Sequence, residues 1–322
     1  MSRVLITGGA GFIGCNYAAH LIRAGHTVTV FDNLSRAGSA DNMRWLKGQG
    51  DNNRLRFIQG DVRDPDATVD VTRGQDAIFH LAAQVAVTTS VSNPREDFEI
   101  NALGTLNVLE GARLSGQRPL VVYASTNKVY GRMEDVPVAE RDTRWEYVNL
   151  PLGVPETQPL DFHSPYGCSK GAGDQYVRDY ARIYDLPTVV FRQSCIYGPR
   201  QFGIEDQGWL AHFVIEVARG HSISIYGDGK QVRDMLWIDD LIAAYDQTLE
   251  NPERVAGRIY NIGGGADFTL SVWRDVEPLL QSLSGHDIEV QHRSWRPGDQ
   301  KVYVSDIRAA FRDLNWSPTV PP

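Results

Sequence analysis

Tyr166 and Lys170 stand four residues apart, a spacing that puts both on one face of a helix. A free phenol has a pKa of about 10 and is a poor base at neutral pH. An adjacent ammonium stabilises the phenolate and lowers that value. Thr126 lies 40 residues before Tyr166, at the end of an apolar run. Its hydroxyl can hydrogen-bond an alcohol whose proton Tyr166 removes while a bound cofactor takes the hydride from carbon. A tyrosine and a lysine at this spacing also occur as a plain surface pair. A second motif in the same chain weighs against that.

That motif is Val4-Leu5-Ile6-Thr7-Gly8-Gly9-Ala10-Gly11-Phe12-Ile13-Gly14, an apolar strand, a glycine-rich turn and the start of an apolar helix. Gly8 permits the turn, Gly11 lets backbone approach a pyrophosphate, and Gly14 lets the helix pack on the sheet. Phe12 and Ile13 share the turn. Free amides at the helix start then face an anion. Asp32 ends the second strand, 18 residues after Gly14, where a carboxylate receives ribose hydroxyls and repels a 2'-phosphate. This points to NAD. Arg36, in the run Asp32-Asn33-Leu34-Ser35-Arg36 with Asn33 and Ser35, leaves NADP open, and Asp32 can also be a strand-end cap. Asp61 and Val62 follow the third strand, with Asp61 placed to meet the adenine amino group. Leu81, Ala82, Ala83 and Gln84 end the fourth with small residues beside the cofactor, and Ser125 accompanies Thr126.

Elements must hold these groups together. Strand-like runs occur at 4–7, 27–31, 55–58, 77–81, 120–123 and 187–191. Helical patterns fall between them at 12–23, 42–46, 97–114 and 166–184. The alternation predicts an α/β fold, a Rossmann-type doubly wound parallel sheet. After residue 195 the rhythm changes. Helical patterns at 209–218, 241–249 and 272–283 and strand-like runs at 222–226 and 258–262 predict a smaller α/β C-terminal substrate-binding part. The division is thus 1–195 for the NAD-binding and catalytic part and 196–322 for the second, with the chain free to cross between them. The Pro-rich and charged segment 132–163 reads as a long loop over the site.

The 322 residues carry a net charge of -8, which speaks against a nucleic-acid coat. Three cysteines without a CxxC pair suggest reduced thiols, and eight scattered histidines lack metal-ligand spacing, so no metal is expected. No leader pattern and no run of about 20 apolar residues is present, and a cytoplasmic protein without membrane contact is expected.

The motifs Thr7–Gly14, Asp61, His80–Ala83, Asn101, Ser125–Gly131, Tyr166–Lys170, Arg233-Asp234 and Arg296-Pro297-Gly298-Asp299 resemble the extended short-chain dehydrogenase/reductase family, specifically its nucleotide-sugar epimerases. The resemblance spans residues 3–317. It implies Thr126, Tyr166 and Lys170 as the catalytic set and Asn101 as a helix residue supporting the proton relay. It further implies bound NAD that recycles, a nucleotide-diphosphate sugar (CDP- or UDP-linked) as substrate, and a homodimer. Ser125-Thr126-Asn127-Lys128-Val129-Tyr130-Gly131 and Leu160–Gly171 resemble the CDP-sugar 2-epimerases of that family, which implies inversion at C2. A UDP-sugar 4-epimerase is the alternative, and a non-catalytic NAD-sensing protein a distant one. A dehydratase needs an acid pair after the catalytic threonine, where this chain has Asn127 and Lys128.

For the substrate the resemblance implies Arg233, Arg296 and Asp299. Arg200 is a third forked cation suited to a diphosphate. Thr126, Asn127, Gln193, Gln207 and Trp209 are expected around the base or sugar, with Trp209 equally readable as helix core. Two departures stand out from the pattern: the run Gln193-Ser194-Cys195-Ile196, and a chain that stops soon after Trp316-Ser317-Pro318.

Overall fold

Side chains alternate along the early apolar runs. Val4 and Ile6 enter one core cluster and Leu5 the other; Val122 enters the first, Val121 and Tyr123 the second. Strands buried on both faces read as continuous apolar stretches, the mark of a parallel sheet covered by helices. The computed structural model describes residues 1–296 and 299–322. Its main sheet runs Arg258–Ile262, Thr188–Gln193, Leu120–Thr126, Ala77–His80, Arg3–Thr7, Thr27–Asp32, Leu55–Gln59. All six pairings are parallel. The strand order reverses between Arg3–Thr7 and Ala77–His80, the place where such Rossmann-type sheets open a ligand crevice.

Helices Phe12–Arg23, Ile238–Glu250 and Arg308–Leu314 cover one face. Tyr17, Phe79, Phe191 and Tyr245 interlock there, with Tyr17–Tyr245 and Phe79–Tyr245 centroids both 5.1 Å apart. Each such fully buried aromatic stabilises the fold by roughly 1.5–3 kcal/mol. Helices Pro65–Thr72, Gly104–Leu114 and Ser164–Tyr184 cover the other face through Val71, Val108, Leu109, Val177 and Tyr180.

Several elements differ from the sequence pattern. The helix expected over 97–114 is divided into Pro94–Phe98, a π-helical turn Glu99–Leu103 and Gly104–Leu114. The helix expected from Val272 begins at Val276, because Ser271 and Asp275 exchange side-chain-to-backbone bonds of 2.7 and 2.8 Å that hold a turn. The strand Arg258–Ile262 lies at the edge of the main sheet, not in the smaller part.

The smaller part is built on Val232–Trp237, which pairs with Thr269–Ser271, Val302–Tyr303 and Cys195–Tyr197. Its own apolar cluster includes Phe213, Ile223, Ile225, Trp273 and Leu280. The segment 132–163 contains a hairpin, Val138–Glu140 with Trp145–Tyr147. Its apolar side chains Val138, Trp145 and Tyr147 pack on Val232, Val302 and Val304. No residue of this segment lines the cleft, which corrects the expectation of a loop over the site.

Candidate active site

A cleft of about 370 Å³ opens along the carboxyl ends of the main-sheet strands. At its dinucleotide end the turn after Arg3–Thr7 is packed too tightly for side chains. A Cβ on Gly8 (φ +69°) would lie 2.6 Å from the Ala82 amide nitrogen, and one on Gly14 2.5 Å from the Gly8 carbonyl oxygen. On Gly11 it would meet only that same carbonyl, at 3.1 Å. Gly11 also N-caps Phe12–Arg23 without a side-chain cap, so the first amides of that helix are free for an anion.

Asp32 accepts bonds from the amides of Ala10 (3.0 Å) and Leu34 (2.8 Å). Burial pushes its carboxyl up, against the pull of those two amides. Phe12, Ile13, Asn33, Ser35, Arg36, Asp61, Val62, Leu81, Ala82, Ala83 and Ser125 line the same cleft. Asp61 is already engaged: Arg63 holds its carboxyl down to about 2, and Asn33 donates to it at 2.8 Å. The free amides, the half-buried acid and the bare glycine turn together fit a dinucleotide with unphosphorylated ribose.

Gln84 and Asn101 are not among the lining residues. Asn101 accepts from the Gln84 amide (2.9 Å) and donates towards the Gln84 carbonyl (3.0 Å), Asp97 (3.1 Å) and Ser169 (3.1 Å). Ser169 donates to Asp97 at 2.5 Å. Asn101 therefore ties the loop after the fourth strand to the helix bearing Tyr166, and the π turn is what presents it there.

Thr126, Tyr166 and Lys170 line the cleft together. Burial pushes the Tyr166 phenol up to about 12, and the Thr126 hydroxyl opposes that shift. Burial lowers Lys170 to about 7, against the raising effect of Asp174 and Asp97. Its ammonium lies 4.2 Å from the centroid of the Tyr123 ring. The expectation that Lys170 depresses the phenol is thus reversed in the free protein, because dehydration dominates both groups. Tyr166 stands as a protonated donor. The site can give a proton to, or take one from, an alcohol oxygen at Thr126 once added positive charge lowers the phenol.

Towards the smaller part the cleft is lined by Gln193, Gln207 and Trp209. Gln193 donates to Tyr245 at 2.6 Å. Trp209 serves both readings, since it lines the cleft and also packs edge-on to Phe213 at 5.6 Å. Arg200 stands on the dinucleotide side, its guanidinium 5.3 Å from the Trp45 ring. Asn127, Arg233, Arg296 and Asp299 do not line the cleft itself. Arg233 is buried and bonded to Asp299, Gln300 and its neighbour's carbonyl, each at 2.8 Å. Arg296 lies over Tyr226 at 3.9 Å and faces Asp206 at 3.3 Å. Pro297 and Gly298 of the motif at 296–299 lie outside the described residues.

Asn42, Phe202 and Met235 also line the cleft and were not singled out from sequence. Met235 pairs in register with Cys195, so recognition of the Val232–Trp237 strand would have found it. Among the described residues no group of three or more His, Cys, Asp or Glu is arranged to hold a metal. No helix there is long and apolar enough to cross a membrane.

A parallel sheet with a dinucleotide turn at its switch point, beside a buried Thr–Tyr–Lys set, defines an NAD-dependent enzyme of the short-chain dehydrogenase/reductase kind. The chain belongs to the NAD dependent epimerase/dehydratase family, whose model matches residues 4–263. It is 45% identical over 325 residues to the CDP-paratose 2-epimerase of Salmonella typhi, covering 99% of this chain and 95% of that protein. The UDP-glucose 4-epimerase of Mycolicibacterium smegmatis is 31% identical over 319 residues, 99% of this chain and 94% of the relative. A crystal structure of the dTDP-glucose 4,6-dehydratase from Streptomyces venezuelae with NAD bound superposes with a TM-score of 0.84. It shares 32% identity and covers 99% of this chain and 92% of that one. NAD is the cofactor of this family and of this chain.

Proposed function

We propose that the chain is a nucleotide-sugar epimerase that inverts C2 of a CDP-linked sugar through a transient keto-sugar. The observation that carries this reading is the 45% identity, end to end, with a CDP-paratose 2-epimerase. It is joined by Asn127 and Lys128 where a dehydratase needs acids. Gly8, Gly11, Gly14 and Asp32 would hold the cofactor, which when bound supplies a reversible hydride acceptor. Thr126 orients the sugar hydroxyl, Tyr166 carries its proton, and Lys170 steadies the phenol's charge. Tyr166 returns the proton to the oxygen as the carbon regains its hydride on the opposite face after the sugar has turned over, so no net redox occurs.

The 31% relative that is a UDP-glucose 4-epimerase supports a second reading, inversion at C4 of a UDP-sugar. Incubation with CDP- and UDP-sugars, with NMR of the products, separates the two. Inversion at C2 of a CDP-sugar is expected, and inversion only at C4 overturns it. We also propose a cytoplasmic homodimer. Exposed Tyr176, Ile183 and Tyr184 on the Tyr166 helix, with Phe98 on the helix Pro94–Phe98, support the dimer. Sedimentation at about twice 35.9 kDa is expected.

A further inference from the structure

Asp97 is buried and ionisable, and the chemistry described so far does not use it. It sits in the short helix Pro94–Phe98, and its carboxylate receives donors from three other elements. Gln84 Nε2 donates to one oxygen at 2.8 Å and Asn101 Nδ2 to the same oxygen at 3.1 Å. Ser169 Oγ meets the other oxygen at 2.5 Å. Ser169 lies between Tyr166 and Lys170 on their helix, and its hydroxyl also reaches the Tyr166 carbonyl at 3.2 Å. Gln84 belongs to the loop whose Leu81, Ala82 and Ala83 wall the cofactor side of the cleft. One carboxylate thus joins that wall to the turn of helix that carries Tyr166 and Lys170.

The charge on Asp97 matters as well as its bonds. All three donors are neutral, and among the described residues Asp97 forms no ion pair. Lys170 is buried and likewise forms no ion pair there; its ammonium rests on the Tyr123 ring at 4.2 Å. Few groups face that ammonium. Asp174, one turn further along the same helix, is engaged by Arg192 and Ser125. His80, beside Tyr123 at 5.6 Å, is kept neutral by burial and bonded to Thr7 and Thr105. Tyr166 is protonated in the free protein. Asp97, brought up to the helix by Ser169, is the carboxylate in this group whose charge no contacting cation cancels. A buried ammonium without counter-charge gives up its proton. We infer that Asp97 is a positioning residue that fixes the Tyr166–Lys170 turn against the cofactor wall and serves as counter-charge to the Lys170 ammonium. Burial lowers the Lys170 pKa while Asp174 and then Asp97 raise it, and the guanidinium in contact with Asp174 weakens the first of these two. The inference rests on the reading of Lys170 as a member of the catalytic set.

NMR of isotope-labelled lysine side chains tests it in the protein carrying its NAD. The chain has five lysines, and the signal missing from Lys170→Met belongs to Lys170. Asp97→Asn keeps the shape of the carboxylate and removes its charge. The Lys170 titration midpoint is expected to fall by about one pH unit in that variant. The sign separates this role from a merely structural one. Loosened packing would hydrate Lys170 and raise its midpoint towards the ordinary 10.5. An unchanged or raised midpoint overturns the inference and leaves the epimerase reading intact. Turnover of CDP-sugars, followed by NMR across pH, should lose its alkaline limb at correspondingly lower pH, with KM little changed. A wild type that turns over neither CDP- nor UDP-sugars overturns the epimerase reading, and the lysine titration still decides the inference. If Asp97→Asn does not fold, Asp97→Ser, which leaves room for water, takes the same measurement.

Discussion

Asp174 and Arg192 form a two-pronged ion pair, with nitrogen–oxygen distances of 2.9 and 3.0 Å and side chains 0% and 2% exposed. The pair joins the middle of the Tyr166 helix to the strand Thr188–Gln193. Ser125 donates to the same carboxylate at 2.7 Å. The residue next to Thr126 is thus fastened to the helix that carries Tyr166 and Lys170. Such a pair positions the site more than it stabilises the fold, since dehydrating both charges offsets most of their attraction.

Removing one partner is another matter. Asp174→Ala strands a buried guanidinium and should lower unfolding free energy by about 3–5 kcal/mol. The double variant Asp174→Ala with Arg192→Met should lose less than the sum of the single changes. Urea denaturation of the four proteins measures this, and strict additivity would rule out the coupling.

Tyr166→Phe keeps the ring and deletes the hydroxyl proposed to carry the proton. Turnover should fall by roughly 10²–10⁴, with NAD content of the purified protein unchanged. Product formation by NMR and cofactor release by acid treatment give the two readings, and undiminished turnover removes Tyr166 from the chemistry.

Gly14→Ala places a methyl 2.5 Å from backbone atoms of Gly8 and Gly9, which cannot swing aside as a side chain would. Overpacking of this kind costs about 1–3 kcal/mol. The variant should melt at lower temperature and hold less NAD; an unaltered melting point and full NAD content are incompatible with the packing described.

Lys170 sets a pH dependence of stability. Its pKa falls from 10.5 to about 7 in the folded protein. Between those values the unfolded chain binds more protons, so this group makes stability rise with pH; below about 7 its burial penalty is complete. In NAD-free protein the wild type should therefore gain up to about 3 kcal/mol on Lys170→Met between pH 7 and 9.5. Urea midpoints across that range supply the test, and a constant difference between the two proteins refutes it.

The parts of the site legible in sequence are those whose logic is local. The turn from Thr7 to Gly14 and the spacing of Tyr166 and Lys170 depend on neighbours within one element. Asp97 and Ser169 were not legible as partners, because 72 residues separate them and only packing brings them together. The strand Val232–Trp237 was hidden for a different reason. Arg233 and Asp234 interrupt its apolar pattern, yet both are buried. Asp234 is held by Ser194 and by the amides of Ser305 and Gly265, so the structure satisfies a charge that the sequence pattern would place in water. The register of the Tyr166 phenol against its lysine was legible, but the sign of its pKa shift was not, because burial is a property of the whole fold.

The return of Arg258–Ile262 to the edge of the main sheet has an evolutionary consequence. The smaller part is assembled from two stretches of chain with a strand of the larger part threaded between them. It cannot be excised or grafted onto a relative as a single cassette without tearing that edge. New sugar preferences on this scaffold must then accumulate by point replacement along the crevice wall. Chimeras that exchange only the stretch 195–237 should misfold instead of switching ligand.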